Sequence, residues 1–232
     1  MLRKVVSRGL LVCAAVLVCA SSASAQKQTL NLTLGYFTPL PVDARTNGDV
    51  LNENLTFLLF DISDFNSASI GGEWLVPLTR HVEGGIGVSY SKGKTHSVYL
   101  DYVDPDGTEV DQDLSMRLVP FAFTVRFLPL APRSPVQPYF GAGIGVINWR
   151  YSESGEFIDF GAGNVIFRDT FVADGTETGP VVLGGVRFQG ETFSAGGEVR
   201  YQHATADLDN RFAAPRLDLG GLTYNVTVGV RF

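Results

Sequence analysis

The chain has 232 residues, with 18 Lys and Arg against 24 Asp and Glu. A nucleic-acid binder should show a basic face, so an acidic balance disfavours that class. Both cysteines, Cys13 and Cys19, fall in the first 25 residues. The rest of the chain therefore has no thiol for a disulfide, a nucleophile or a metal.

Arg3, Lys4 and Arg8 precede an apolar run from Leu10 to Ala20, and Ala23-Ser24-Ala25 follows as a small-x-small cleavage pattern. The run is shorter than the ~20 residues of a spanning helix. Residues 1–25 read as an export signal cleaved between Ala25 and Gln26. Residues 26–232 then carry 15 basic and 24 acidic groups, a formal charge of −9, and fit one β domain.

After the signal, apolar residues recur at every second position in eight places: 28–38, 69–78, 82–91, 114–128, 137–151, 179–188, 193–203 and 222–232. Period two is the signature of a strand with one greasy face. In the fourth stretch Pro120 predicts a bulge or an irregular upper end. Long acidic segments follow the first, third, fifth and seventh stretches (39–68, 92–113, 152–178 and 204–220), and short turns follow the second, fourth and sixth. An even number of strands with alternating long and short connections predicts an eight-stranded antiparallel up-and-down transmembrane β-barrel, with long extracellular loops and short periplasmic turns. A soluble sandwich would carry charge along its second face; here that face is mostly Gly, Ser and Thr.

The few charges on the second face are Glu73, Glu83, Arg126, Arg187, Glu198, Arg200 and Arg231. Exposed to hydrocarbon each would be costly, so they are expected inside the barrel as an ion-pair network. A lumen-filling structural role is favoured over a polar gate or proton relay. Gly85, Gly87, Gly141, Gly143 and Gly145 share that face and are expected to leave room for Arg and aromatic side chains. Phe127, Phe140, Phe188, Phe193 and Phe232 fall near the short-turn end, and Tyr36, Tyr90, Tyr201 and Tyr224 near the long-loop end, as two aromatic girdles. The four long segments hold 20 of the 24 acids and 6 of the 18 bases, so the outward end is negative. "DPDG" at 104–107 reads as a turn, without the remaining ligand spacing of an EF-hand. "FGAGIG" at 140–145 has no following helix and fails the context of a nucleotide loop. No catalytic, cofactor or metal residue is assigned.

Taken together, "LVPFAFTVRF" (118–127), "QPYFGAGIGV" (137–146), "LGGVRF" (183–188) and "GGEVRYQHA" (196–204) resemble the outer membrane protein β-barrel domain family, small barrels of the OmpA and OmpW type. The resemblance implies an integral outer-membrane protein, surrounded by lipid and lipopolysaccharide. It also implies that Phe232 is a terminal aromatic signal read by the barrel assembly machinery. A non-enzymatic monomer with a structural or surface-interaction role and no cofactor is the first expectation. The alternative is an OmpW-like conduit for small hydrophobic molecules. A lower alternative rests on "RYQHAT", similar to the His-x-Ser segment of PagL-type lipid A deacylases, with His203 as base, Thr205 in place of Ser and Asp218 as acid. "LTFLLF" (55–60) is expected to plug the lumen, pack on the rim or form a short helix.

Overall fold

The computed structural model describes residues 27–104, 106–130, 134–159, 161 and 163–232. The segment read as an export signal, with Cys13, Cys19 and the expected junction at Ala25 and Gln26, lies outside the described residues.

Eight long strands make the wall: β1 (Thr29–Pro39), β2 (Ser67–Pro77), β3 (Val82–Val103), β4 (Glu109–Phe127), β5 (Val136–Asp159), β6 (Val165–Gln189), β7 (Phe193–Gln202) and β8 (Gly221–Arg231). Each pairs antiparallel with its neighbours in sequence, and β8 returns to β1 in unbroken register from Thr29↔Arg231 to Pro39↔Gly221. The ring is closed. Closure matters because an unpaired strand edge has no water to bond with in hydrocarbon, where each orphaned backbone group costs several kcal/mol.

Over the lower part of the wall the alternation puts apolar side chains outward. Leu30, Leu32 and Leu34 on β1 and Val226 and Val228 on β8 are all more than half exposed. So are Phe123 and Val125 on β4 and Phe140 and Ile144 on β5. A soluble protein would bury such a belt; here it is the surface that meets lipid, and the molecule is a transmembrane β-barrel. In the lower aromatic girdle Phe127 stands opposite Phe140, with their rings 5.4 Å apart. At the upper level Tyr36 stands opposite Tyr224.

Two sequence expectations about the wall are corrected. The segments 92–113 and 152–178, read as loops, are largely strand: β3 and β4 run on to a turn around 104–108, and β5 and β6 to one around 160–164. The reason is a switch of parity. On β4 the apolar residues are Val119, Phe121, Phe123, Val125 and Phe127 below, facing out, but Val110, Leu114, Met116 and Leu118 above, facing in and buried. β5 switches likewise from Phe140, Ile144 and Val146 to Ile147, Trp149 and Tyr151. Beyond the lipid the outside is water, so Lys92, Lys94, His96, Asp111, Asp113 and Arg150 take the outward positions there. Following only the outward greasy face, the alternation fades where the hydrocarbon ends. The second correction is at Pro120. The register of β3 on β4 is the same on both sides of it, with pairs missing only at Ser89 and Tyr90, and the shift falls instead between Val98 and Val103. A proline can forgo one ladder bond without displacing the strand.

The wall is therefore uneven. β3 to β6 stand tall, whereas β1, β2, β7 and β8 have 10 or 11 residues each. Two connections fill the concave space behind the tall strands. Residues 40–66 contribute the short helix α1 (Val50–Asn54), the pair Leu58–Leu59 that adds to β3 opposite Tyr99 and Val98, and a turn at Ile62–Phe65. Residues 203–220 contribute a small hairpin, Thr205–Asp207 against Arg216–Asp218. Val50, Leu51, Leu58, Phe65, Leu217 and Leu219 from these connections pack with Leu114, Met116, Ile147 and Trp149 of the wall in one buried cluster. Of the three fates expected for "LTFLLF", its Leu58 joins this plug and its Leu58–Leu59 step augments the sheet, while the short helix lies just before it.

Candidate functional site

The lumen is the first place where function could reside. Glu73 on β2, Arg126 on β4, and Glu198 and Arg200 on β7 meet across it. Arg126 Nη2 donates to Glu73 Oε1 at 2.7 Å and to Glu198 Oε2 at 2.6 Å, and its guanidinium lies 4.7 Å from the centre of the Tyr139 ring. Arg200 donates through Nε to Glu198 Oε1 at 3.0 Å and through Nη2 to Glu73 Oε1 at 3.1 Å. Tyr139 on β5 donates its hydroxyl to Glu198 at 3.1 Å. Two cations and two anions thus close on themselves, with Arg126 only 1% exposed. Charge-assisted bonds offset the desolvation of ions held this deep.

β3 lies between Glu73 and Arg126 and presents glycine there. A Cβ at Gly85 would sit 2.7 Å from Thr124 Oγ1, 3.0 Å from Leu75 Cδ2 and 3.3 Å from Glu73 Oε1, so a larger residue would crowd the side chains around the Glu73 carboxylate. Nearer the short turns, Arg187 pairs separately with Glu83 at 2.8 Å. Arg231, expected in the same network, donates to the carbonyl of Gly190 at 2.6 Å and makes no ion pair among the described residues. The expected set of seven is therefore a four-membered cluster, a separate pair, and one arginine capping a turn. One cavity beside the cluster, lined by Thr33, Glu73, Ala122, Arg200 and Asn225, has a volume of about 20 Å³. That is room for about one water.

The second place is the plug. Asp49 is its hub: 1% exposed, it takes Arg45 Nε at 2.7 Å and Nη2 at 3.0 Å, the backbone N–H of Leu51 and Asn52 at the start of α1, and the backbone N–H of Asp218 at 2.6 Å. Asp218 in turn accepts from the Thr46 amide at 2.8 Å and hydroxyl at 2.9 Å and from the Gly220 amide at 2.7 Å. These bonds lock one connection to the other. A second tie joins α1 to the wall, where Asn54 Nδ2 and the Tyr151 hydroxyl each donate to Glu153 Oε1 at 2.8 Å.

Glu153 is on β5 above the lipid, turned inward against the plug and flanked by outward Ser152 and Ser154. Burial raises its carboxyl above the usual value of 4.5, and the bonds from Asn54 and Tyr151 offset this only in part. The folded state then holds a proton that the unfolded chain releases, so its contribution to stability falls as pH rises from about 4.5 through the raised value. Glu153→Gln keeps an acceptor for both donors and should abolish this dependence. Thermal melts of the plug across pH should show a slope of at most about 1.4 kcal/mol per pH unit in the wild type, and a flatter profile in the variant.

The deacylase candidates lie at the join of β7 and the small hairpin. His203 Nδ1 is 3.9 Å from Asp218 Oδ1, beyond hydrogen-bonding distance. Thr205 Oγ1 bonds to Thr46 Oγ1 at 3.1 Å, and Asp218 is occupied by Thr46 and Gly220. Barrel strand β7 ends at Gln202, so Thr205 belongs to the plug hairpin rather than to the lipid-facing wall. The three residues are close, yet the carboxylate and the hydroxyl serve the loop anchor.

Arg45, Asp49, Tyr139 and Glu153 were missed in the sequence. Tyr139 sits on the minority parity of "QPYFGAGIGV", the same signal that found Arg126. Asp49 ahead of "VLNEN" is an N-cap pattern, obscured by a helix of five residues. No cluster of three or more His, Cys, Asp or Glu side chains suited to a metal occurs among the described residues.

The fold and its apolar girdle define the class: a small closed β-barrel that crosses a membrane on eight strands. No protein-family profile matches the chain, and no curated protein sequence does. Among solved structures it is similar to the N-terminal β-barrel domain of Pseudomonas aeruginosa OprF, at 15% identity and TM-score 0.42 over 89% of this chain and 98% of that one. It is similar also to the outer membrane protein OprG of the same organism, at 10% and 0.49 over 89% and 96%. The Neisserial surface protein A is similar at 13% and 0.46 over 88% and 95%.

Proposed function

We propose that the protein is a monomeric, non-enzymatic barrel of the outer membrane, which works through the surfaces it presents and not through its lumen. The observation that carries this reading is the filled interior: the Glu73–Arg126–Glu198–Arg200 cluster spans the lumen and the interlocked connections close its outer end. A conduit for small hydrophobic molecules needs an apolar path with a side exit, and a neutralised cluster of buried ions is a poor lining for one. Planar-bilayer recording is the test. Purified protein should give no single-channel steps, and Glu83→Ala and Arg200→Ala should be equally silent; stable steps in the wild type would overturn the proposal.

In this reading the partners are outer-membrane lipid, lipopolysaccharide and, during biogenesis, the barrel assembly machinery. Phe232 exchanges backbone bonds with Gln28, at 2.8 and 3.0 Å, and turns its ring outward. Deleting Phe232 should lower the membrane level of the protein more than deleting any one loop, measured by immunoblot of membrane fractions.

A further inference from the structure

Just beyond the lipid-facing belt, the ladder brings three cations into one lateral row. Lys92 on β3 stands opposite Arg117 on β4, and Arg117 stands opposite Arg150 on β5. All three point outward, two residues above Tyr90 and Val119 on their own strands in the case of β3 and β4. Lys94 lies one outward step higher and is paired with Asp113 at 2.9 Å. Like charges directly opposite each other on neighbouring strands repel and destabilise a sheet. Among the three cations themselves there is no acid; the row meets one only at its β6 end, where Asp174 stands exposed across from Arg150. Lys92 and Arg150 make no salt bridge among the described residues, and Asp174, although across the ladder from Arg150, forms no direct contact with its guanidinium. Arg117 bonds only to Asn148 Oδ1 at 3.2 Å, and its Nε is buried without a partner. The row is all the more unusual in an outward end that is otherwise strongly acidic.

We propose that Lys92, Arg117 and Arg150 form a binding site for the phosphate groups of lipid headgroups in the outer leaflet. The inference rests on the outer-membrane placement proposed above. Height selects the ligand. A phosphate at the row leaves its acyl chains to run down over Tyr90, Val119 and Phe121, where the exposed apolar wall begins, so a lipid satisfies the cations and the belt together. A soluble phosphate satisfies only the first. Two arginines in the row provide planar donors matched to phosphate oxygens.

The test uses the full-length protein folded in lipid nanodiscs, with three probes: lipid A bearing two phosphates, the same lipid dephosphorylated, and inorganic phosphate. Retained lipid is counted by native mass spectrometry. Wild type should enrich the phosphorylated lipid over the dephosphorylated one. Lys92→Gln, Arg117→Gln and Arg150→Gln should each reduce that enrichment roughly fivefold, the effect of about one surface cation. Lys27→Gln at the opposite end and Arg211→Gln in the plug hairpin should leave it unchanged. Equal retention of both lipids by wild type, unaltered enrichment in the triple variant, or displacement of the lipid by inorganic phosphate alone would each overturn the site. The dephosphorylated-lipid arm needs no variant, so it decides the question even if a substitution impairs folding. Wild type that fails to show heat-modifiable migration would refute the membrane barrel itself, whereas a folded barrel with no lipid preference refutes only the row.

Discussion

Arg126→Ala should destabilise the barrel by about 3–5 kcal/mol, the cost of stripping one partner from a buried ion cluster. Glu73 and Glu198 would be left facing each other across the lumen, with only Arg200, 13% exposed at its side chain, to hold both. Tyr139 would lose the cation over its ring as well. The repulsion, and not the missing side-chain volume, is the main term. Adding Glu198→Gln alone to Arg126→Ala, which leaves Glu73 and Arg200 as a neutral pair, should therefore recover part of the loss. Denaturant titration in lipid vesicles reads this directly. Of the two tryptophans, Trp74 faces lipid from β2 and Trp149 faces inward from β5 against the plug, so fluorescence reports both regions. If Arg126→Ala unfolds at the wild-type denaturant concentration, the cluster is not what holds the lumen.

Asp49→Ala should have the second largest effect, about 3–5 kcal/mol, confined to the plug. It removes an N-cap, both bonds to Arg45 and the bond to the Asp218 amide, and it leaves the Arg45 side chain buried with 0% exposure. Asp49→Asn keeps the shape and one acceptor and should cost less, about 1–3 kcal/mol. Amides of residues 40–66 should then exchange with deuterium while those of β1 and β8 stay protected. Equal protection of the plug in wild type and Asp49→Ala would show that apolar packing alone secures it.

The wall was legible because hydrocarbon imposes a period-two rule that few other environments impose so strictly. From Leu30 to Tyr36 and from Leu222 to Phe232 every alternate residue announces its face. The same rule located Glu73, Arg126, Glu198 and Arg200 as inward charges. It did not reveal which of them meet, because β2, β4 and β7 are not neighbours and their heights depend on the stagger of the ring. Nor did it reach the tall strands, where the rule inverts above Val119 and Val146. The plug was hidden for another reason: Asp49 and Asp218 belong to connections without periodicity, and their partnership is visible only once β1 and β8 are adjacent.

That adjacency bears on the order of events in folding. The bonds from Arg45 to Asp218, from Asp218 to Asp49 and from Thr46 to Asp218 join residues 173, 169 and 172 positions apart. The β5–β6 hairpin, by contrast, closes across a turn of a few residues. Contacts so distant along the chain are the slowest to form, and these have nowhere to form until the first and last strands have met. The plug is thus a latch that sets after the seam is sewn. Arrival of Trp149 fluorescence in its final state marks the completed barrel, and a chain stalled with its ends apart carries its two connections loose.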